Sequence, residues 1–303
     1  MKTYTYKGIT WIEAFSPKES TLNELAESYD IDYFITHDIL SPTPYLYNNK
    51  HGDALYAVFH FPVFRLDNKK KSVELDLIIK KDFLMTVRYD AIDSLEILTK
   101  KIEAKENLPN KEGAKLPAPA LANVILKEMY ESMLDDLAAL SDWIHDIEDR
   151  VYEGKEKEMV TEISLVAREI AEFRSKMHEH IQQLETLKET GTKMFGDDFT
   201  HSFQDVLRTF KGVQSQTKFL TEIVTELRET NNSLVSTKQN EIMKVLTIMA
   251  FITFPLSLIA SVFGMNAANI PFIGRDNDFL VIMAIMGFST LFMFGFFKYK
   301  KWI

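Results

Sequence analysis

Two stretches near the C-terminus constrain the fold more than any other feature: residues 245–263 and 279–297 each run 19 residues without a charged side chain. A helix rises ~1.5 Å per residue and a bilayer core is ~30 Å thick, so about 20 such residues cross it. Each run is apolar on all sides, which marks a helix surrounded by lipid rather than one with a single buried stripe. The 15 residues between them, 264–278, contain Asn, Gly, Pro and charges and must lie at a membrane surface. Lys244 precedes the first run, and Lys298, Lys300 and Lys301 follow the second. This lysine bias predicts both termini in the cytoplasm and the short loop outside. Tyr299 and Trp302 suit the interfacial belt, and the polar start of the chain shows no secretory signal.

Charge is segregated along the rest of the chain. Residues 116–190 hold 8 basic and 17 acidic side chains, net −9, whereas 1–115 and 191–244 are nearly balanced. Such a field attracts cations and repels phosphate backbones, which argues against nucleic acid as a partner. The absence of cysteine excludes a disulfide scaffold, a thiolate metal site and a cysteine nucleophile. No nucleophile–base constellation points to an enzyme. Gly191 and Gly196 have the spacing of a phosphate loop, but Asp197 and Asp198 stand where Lys and Ser/Thr would be needed, so no nucleotide is implied.

Residues 1–115 read as an α/β domain. The segments 54–64, 72–80 and 83–89 are rich in β-branched and aromatic residues and predict an antiparallel meander, while 21–29 and 90–106 read as helices. Pro109, Gly113, Pro117 and Pro119 mark a break. Beyond it the period becomes 3.5. Met133, Leu137, Leu140, Ile144, Ile147 and Val151 form one seam, and Ile163, Val166, Ile170, Phe173 and Met177 another. Each seam needs a partner, so two long helices folded on each other are expected, ending between Gly191 and Asp198. A third seam runs from Phe203 through Leu234, making 200–263 potentially one helix ~96 Å long. The chain thus divides into an α/β domain (1–115), an acidic helical hairpin (116–198), a stalk helix continuing into the first span (199–263), an outer loop (264–278), and a second span with a basic tail (279–303). The fold class is an α+β cytoplasmic domain followed by a helical hairpin, a stalk helix and two C-terminal transmembrane helices.

The first span ends in Phe263-Gly264-Met265-Asn266. It is entered through Asn240-Glu241-Ile242-Met243-Lys244-Val245-Leu246-Thr247, carries Pro255 at mid-span, and the chain finishes on Lys298-Tyr299-Lys300-Lys301-Trp302-Ile303. Together these features resemble the CorA family of magnesium transport proteins, closely over 236–303 and in architecture over 1–200. The resemblance implies a homopentamer in the cell membrane, with the stalk helix lining a central pore and Gly264, Met265 and Asn266 forming the selectivity filter. Asn240, Met243, Leu246, Ala250, Phe254, Ser257 and Ser261 recur every three to four positions on one face of that helix. As a pore lining they would order a polar ring, a hydrophobic constriction and small hydroxyls.

In the family, Mg²⁺ is both cargo and regulator, the latter bound between subunits by carboxylates. The matching positions are Asp38, in His37-Asp38-Ile39-Leu40, and Asp205, in Phe203-Gln204-Asp205-Val206; His37 replaces a usual acid. The outer loop departs from the pattern. Ile270-Pro271-Phe272-Ile273 stands where the family has Met-Pro-Glu-Leu, leaving Asp276 and Asp278, beside Arg275, to attract cations. Co²⁺, Ni²⁺ and Zn²⁺ therefore stay open as cargo, including by proton-coupled transport, although Met265 favours the magnesium branch. From another functional class, a membrane-anchored helical scaffold or sensor also stays open.

Overall fold

The structure, a computed structural model, describes residues 1–6, 9–64, 72–106, 117–265 and 277–302. Asn266, Asp276, Pro109 and Gly113 lie outside the described residues. The chain forms two compact units, Met1–Arg228 and Glu229–Ile303.

The first unit opens with β1 (Lys2–Tyr6), β2 (Ile9–Phe15), α1 (Glu19–Tyr29) and α2 (Tyr33–Asp38). Then come β3 (Tyr47–His51), β4 (Ala54–Pro62), β5 (Ser72–Ile79), β6 (Phe83–Arg88) and α3 (Asp93–Glu106). One sheet results, in the order β1-β2-β6-β5-β4-β3. The predicted meander is β4-β5-β6, antiparallel throughout. The N-terminal hairpin was not foreseen, nor was its docking: β2 lies parallel to β6, with Trp11 opposite Leu84 and Ile12 opposite Met85. A parallel pair needs a crossover, and the chain between β2 and β6 supplies one containing α1 and α2.

Helices α1 and α2 cover one face of the sheet, packing Leu22, Leu25, Ile35 and Ile39 on Ile12, Tyr56, Val58, Ile78 and Met85. The other face meets α4 (Ala118–Tyr152), which contacts β2, β5 and β6, and α5 (Glu156–Phe195), which contacts β3 and β4. Cover on both faces explains why all nine residues of β4 are buried and its sequence lacks polar alternation.

The helical seams pack as their period requires. Every seam residue named on α4 and α5 is buried, as are Phe203, Val206, Phe210, Val213, Leu220, Val224 and Leu227 on α6 (Asp197–Phe263). Two details refine the sequence reading. Pro117 and Pro119 do not interrupt the chain but start α4, as N-cap and first-turn residue, where the missing N–H would be unpaired in any case. The hairpin ends inside the expected 191–198 stretch, but not at Gly191 itself. That residue lies inside α5, where the Phe199 ring occupies the space a Cβ would need. The turn falls at Gly196, whose φ of 80° suits glycine.

His180 of α5 ties three elements together. Its Nδ1 accepts from the Tyr130 hydroxyl at 2.9 Å, and its Nε2 donates to the His60 carbonyl at 3.2 Å. Burial pushes its pKa down to about 3, so the ring is neutral.

Candidate functional site

Asp38 closes α2, a helix whose start is capped by Asp32: the Phe34 N–H donates to Asp32 Oδ1 at 2.9 Å. Its carboxylate is exposed and accepts one hydrogen bond, from the Tyr56 hydroxyl to Oδ2 at 3.2 Å. Asp205 is also exposed, on α6, where Arg208 of the same helix approaches it at 2.9 Å. Each of these acids thus has a partner in its own protomer and remains open to solvent. Among the described residues, no three His, Asp or Glu side chains converge as a metal cage. A cation held by these acids would need ligands from more than one chain or from water.

Beneath α2 lies a group of buried polar side chains. Glu74 and Asp76 sit two apart on β5 and so share a face of the sheet, with His60 of β4 opposite Glu74. His60 Nε2 faces two acceptors, the Thr43 carbonyl at 2.8 Å and Glu74 Oε2 at 3.2 Å, so that nitrogen carries the proton. Glu74 Oε1 accepts from the Thr43 N–H at 2.9 Å, giving this carboxylate two donors. Asp76 is fully buried and lacks such support. Its Oδ1 has no hydrogen-bond partner, and its Oδ2 lies 3.0 Å from the Tyr89 hydroxyl, which is also 3.0 Å from the Ile39 carbonyl. One hydroxyl proton cannot serve both acceptors. A proton on Asp76 resolves the conflict: Asp76 donates to Tyr89, and Tyr89 donates to Ile39 at the end of α2. Burial, then the charge of Glu74, pushes the Asp76 carboxyl up from 3.8 to about 8. Burial and the nearby Asp76 likewise raise the Tyr56 and Tyr89 hydroxyls.

The consequence for stability has a definite sign. Between about pH 4 and pH 8 the folded chain retains a proton that the unfolded chain has released, so stability falls as pH rises through this window. Asp76→Asn keeps a neutral donor and removes that dependence. Its stability relative to the parent is expected to improve by on the order of a few kcal/mol from pH 4 to pH 8. Denaturant titrations of both chains across that range measure the difference; a constant difference would refute the neutral assignment.

In the second unit, α6 lies beside α7 (Asp278–Tyr299). Half-buried side chains mark a stripe on each helix, including Ile248, Ile252, Leu256, Ile259 and Phe263 on α6 and Ile282, Met286, Thr290 and Met293 on α7, with Phe297 buried. Phe251 and Phe297 meet edge to face with ring centres 6.3 Å apart. At about 100° per residue, Asn240, Met243, Leu246, Ala250, Phe254, Ser257 and Ser261 lie on the side of α6 opposite this stripe. All but the half-buried Ala250 are exposed, Phe254 at 72%. The protomer therefore leaves a helix-long, mainly apolar face without a partner, ending at Gly264 and Met265. Gly264 does not adopt a left-handed conformation to leave the helix. Its N–H still donates to the Ala260 carbonyl at 2.9 Å, so the chain leaves α6 through a right-handed turn that continues the last helical bond. Asn266, Asp276 and the side chain of Asp278 fall outside the described residues.

Sequence reading singled out Asp38 and Asp205 but not the Tyr56–Asp76–Tyr89 group under α2. The available signal was three ionisable residues, His60, Glu74 and Asp76, inside otherwise apolar strands.

Comparison with known proteins agrees with this architecture. The cobalt/magnesium transport protein CorA of Thermotoga maritima is 26% identical over 317 residues, covering 97% of this chain and 83% of the relative. The cobalt/magnesium transport protein CorA of Methanocaldococcus jannaschii is 23% identical over 296 residues, covering 97% of this chain and 92% of the relative. The complete structure of the M. jannaschii CorA magnesium transporter superimposes with a TM-score of 0.83 at 22% identity, covering 98% of this chain and 92% of that one. This likeness establishes a shared fold: an α+β N-terminal domain, a long helix and two C-terminal apolar helices. The sequence profile of CorA-like Mg²⁺ transporter proteins matches residues 6–300, and this chain belongs to that family.

Proposed function

We propose that the chain is a membrane-embedded divalent-cation transport protein that carries Mg²⁺ inward, works as a homopentamer and closes when cytoplasmic Mg²⁺ is plentiful. The observation that carries this reading is the unpartnered face of α6, opposite the α7 stripe and ending at the Gly-Met-Asn triplet. Around a symmetry axis the copies of that face would line one channel, with Asn240 at the cytoplasmic end, Met243, Leu246 and Phe254 as an apolar girdle, and Asn266 at the outer mouth. Mg²⁺ gives up its water reluctantly. Neutral amide oxygens suit it because they hold the hydrated ion through its water shell without binding it too tightly. The girdle would close the path by dewetting.

An inside-negative potential supplies ~2.3 kcal/mol per charge per 100 mV, or ~4.6 kcal/mol for a divalent ion, enough for a roughly 10³-fold inward gradient. Neither nucleotide nor catalytic chemistry is required. With both termini cytoplasmic, the first unit and its acids face the internal Mg²⁺ pool. In a pentamer, Asp38 of one protomer and Asp205 of the next would share a divalent ion. Loss of that ion would leave opposed carboxylates that repel.

The direct test is reconstitution in vesicles loaded with a Mg²⁺-sensitive dye, comparing Mg²⁺, Co²⁺, Ni²⁺ and Zn²⁺ with and without a proton gradient. Mg²⁺ entry that follows the membrane potential and ignores the proton gradient is expected; entry of Zn²⁺ alone, driven by protons, would favour the zinc reading. The sensing assignment has its own test. Asp205→Ala is expected to weaken closure by internal Mg²⁺ by about tenfold in half-inhibiting concentration, the effect of losing one charged ligand contact. Inhibition at the parent concentration would remove Asp205 from the sensor.

A further inference from the structure

Toward the lysine-rich end of α7, residues of both apolar helices line a cleft of about 490 Å³, within the ~300–1,000 Å³ range of small-ligand sites. Phe251 and Pro255 of α6 face Phe292 and Phe296 of α7 across it, and Lys300 and Trp302 complete its lining. The tail there has a defined conformation. The Trp302 N–H donates to the Phe297 carbonyl at 3.0 Å, and the Lys301 N–H to the Lys298 carbonyl at 3.1 Å. These two bonds close α7 in a Schellman turn. The left-handed position of such a turn usually belongs to glycine, yet here it is Lys301, with φ of 58°. The turn folds Trp302 back to stack on Phe297, ring centres 5.9 Å apart, while Lys300 lines the cleft and Lys298 and Lys301 are its near neighbours in the chain. None of the three lysines forms an ion pair with a described residue, and from residue 245 onward the only acids are Asp276 and Asp278, before or at the opposite end of α7.

We propose that this cleft is a binding site for one anionic phospholipid, with an acyl chain between the aromatic rings and the phosphate against Lys300 and its neighbouring lysines. The proposal rests on reading α6 and α7 as membrane spans. An aromatic cleft floor beside lysines that have no ion-pair partner among the described residues matches both halves of such a lipid: the rings take the chain, and the lysines take a net negative headgroup that a zwitterionic lipid lacks. Trp302, amphipathic and folded over the mouth, sits where interfacial tryptophan is favoured. A second copy of the chain packed span against span would instead bury the lysine ammonium groups beside rings, and residues 245–263 and 279–297 carry no acid to pair them.

The test uses the full-length chain in phosphatidylcholine vesicles carrying a minor fraction of phosphatidylglycerol, with bromine on the acyl chains of one lipid or the other. Bromine quenches tryptophan on contact, and subtracting the signal of Trp302→Phe isolates Trp302 from Trp11 and Trp143. Per molecule, brominated phosphatidylglycerol is expected to quench Trp302 about fivefold more effectively for each lysine engaged. Lys300→Gln should reduce that preference, and the triple replacement of Lys298, Lys300 and Lys301 by Gln should abolish it. Equal quenching by both lipids would overturn the site in favour of ordinary lipid contact, as would a preference unchanged by the lysine variants. No quenching by either lipid would mean that protein, such as a second copy, fills the cleft. Flotation of the same samples separates the two levels of the argument: a chain that fails to float with vesicles overturns the membrane reading itself, whereas an inserted chain with unselective quenching overturns only the lipid site.

Discussion

Replacement of Asn266 by alanine is expected to abolish Mg²⁺ entry into reconstituted vesicles, lowering the initial rate at least ~100-fold. In the proposed pentamer each protomer contributes one amide oxygen to the outer mouth, and a hydrated divalent ion meets that ring before the apolar girdle. A hydrogen bond involving a charged partner contributes about 1.5–3 kcal/mol, so losing even two contacts to the polarised water shell costs on the order of 3–6 kcal/mol. A tenfold change corresponds to ~1.4 kcal/mol, which makes ~100-fold a conservative floor. The variant is expected to assemble as the parent does, checked by size-exclusion chromatography. A membrane-anchored scaffold or sensor would be indifferent to this change. Parent-like flux through an assembled Asn266→Ala protein would therefore remove the amide ring, and with it the pore reading.

The largest expected loss of stability comes from Glu13→Ala. Glu13 on β2 and Arg88 on β6 are 5% and 9% exposed, and Arg88 Nε donates to Glu13 Oε1 at 2.8 Å. Arg88 also reaches Glu96 at 3.2 Å and the Asp90 carbonyl at 3.1 Å, and its guanidinium lies 5.0 Å from the centre of the Phe15 ring. Removing one member of a buried ion pair strands the other charge, at a cost of about 3–5 kcal/mol. The remaining contacts of Arg88 place the expected value near the lower end, about 3 kcal/mol. Trp11, fully buried two residues away on β2, reports the transition by fluorescence during denaturant unfolding. The double replacement Glu13→Ala with Arg88→Met should recover much of the loss, because an apolar side chain leaves no stranded charge. A loss below about 1 kcal/mol in the single variant would show that water already screens the pair.

Both sites illustrate where local pattern stops being informative. The spans, the three helical seams and the meander β4-β5-β6 follow from the order of side chains along one segment, because an uncharged run, a 3.5-residue repeat and a turn dipeptide are each contained within the element they define. The face of α6 from Asn240 to Ser261 was legible for the same reason. The partner of that helix was not, and only the stripe against α7 shows which side remains open. Likewise, Asp38 was visible as a motif position, but the protonated Asp76 beneath it was not. Whether a carboxyl is charged depends on groups from β4, β5, α2 and the residue after β6, which lie far apart in the chain.

The amino-acid order alone therefore decided which segments are long and apolar enough to cross a membrane, which helices need partners and where the Gly-Met-Asn triplet falls, since these depend on neighbours within a few turns. Folding in three dimensions decided that β2 pairs in parallel with β6, that Glu13 and Arg88 share one buried bond, and that Asp76 retains its proton. These are properties of burial and of distance between remote residues. Water is excluded only after distant segments have met, and no pattern confined to one segment records that meeting.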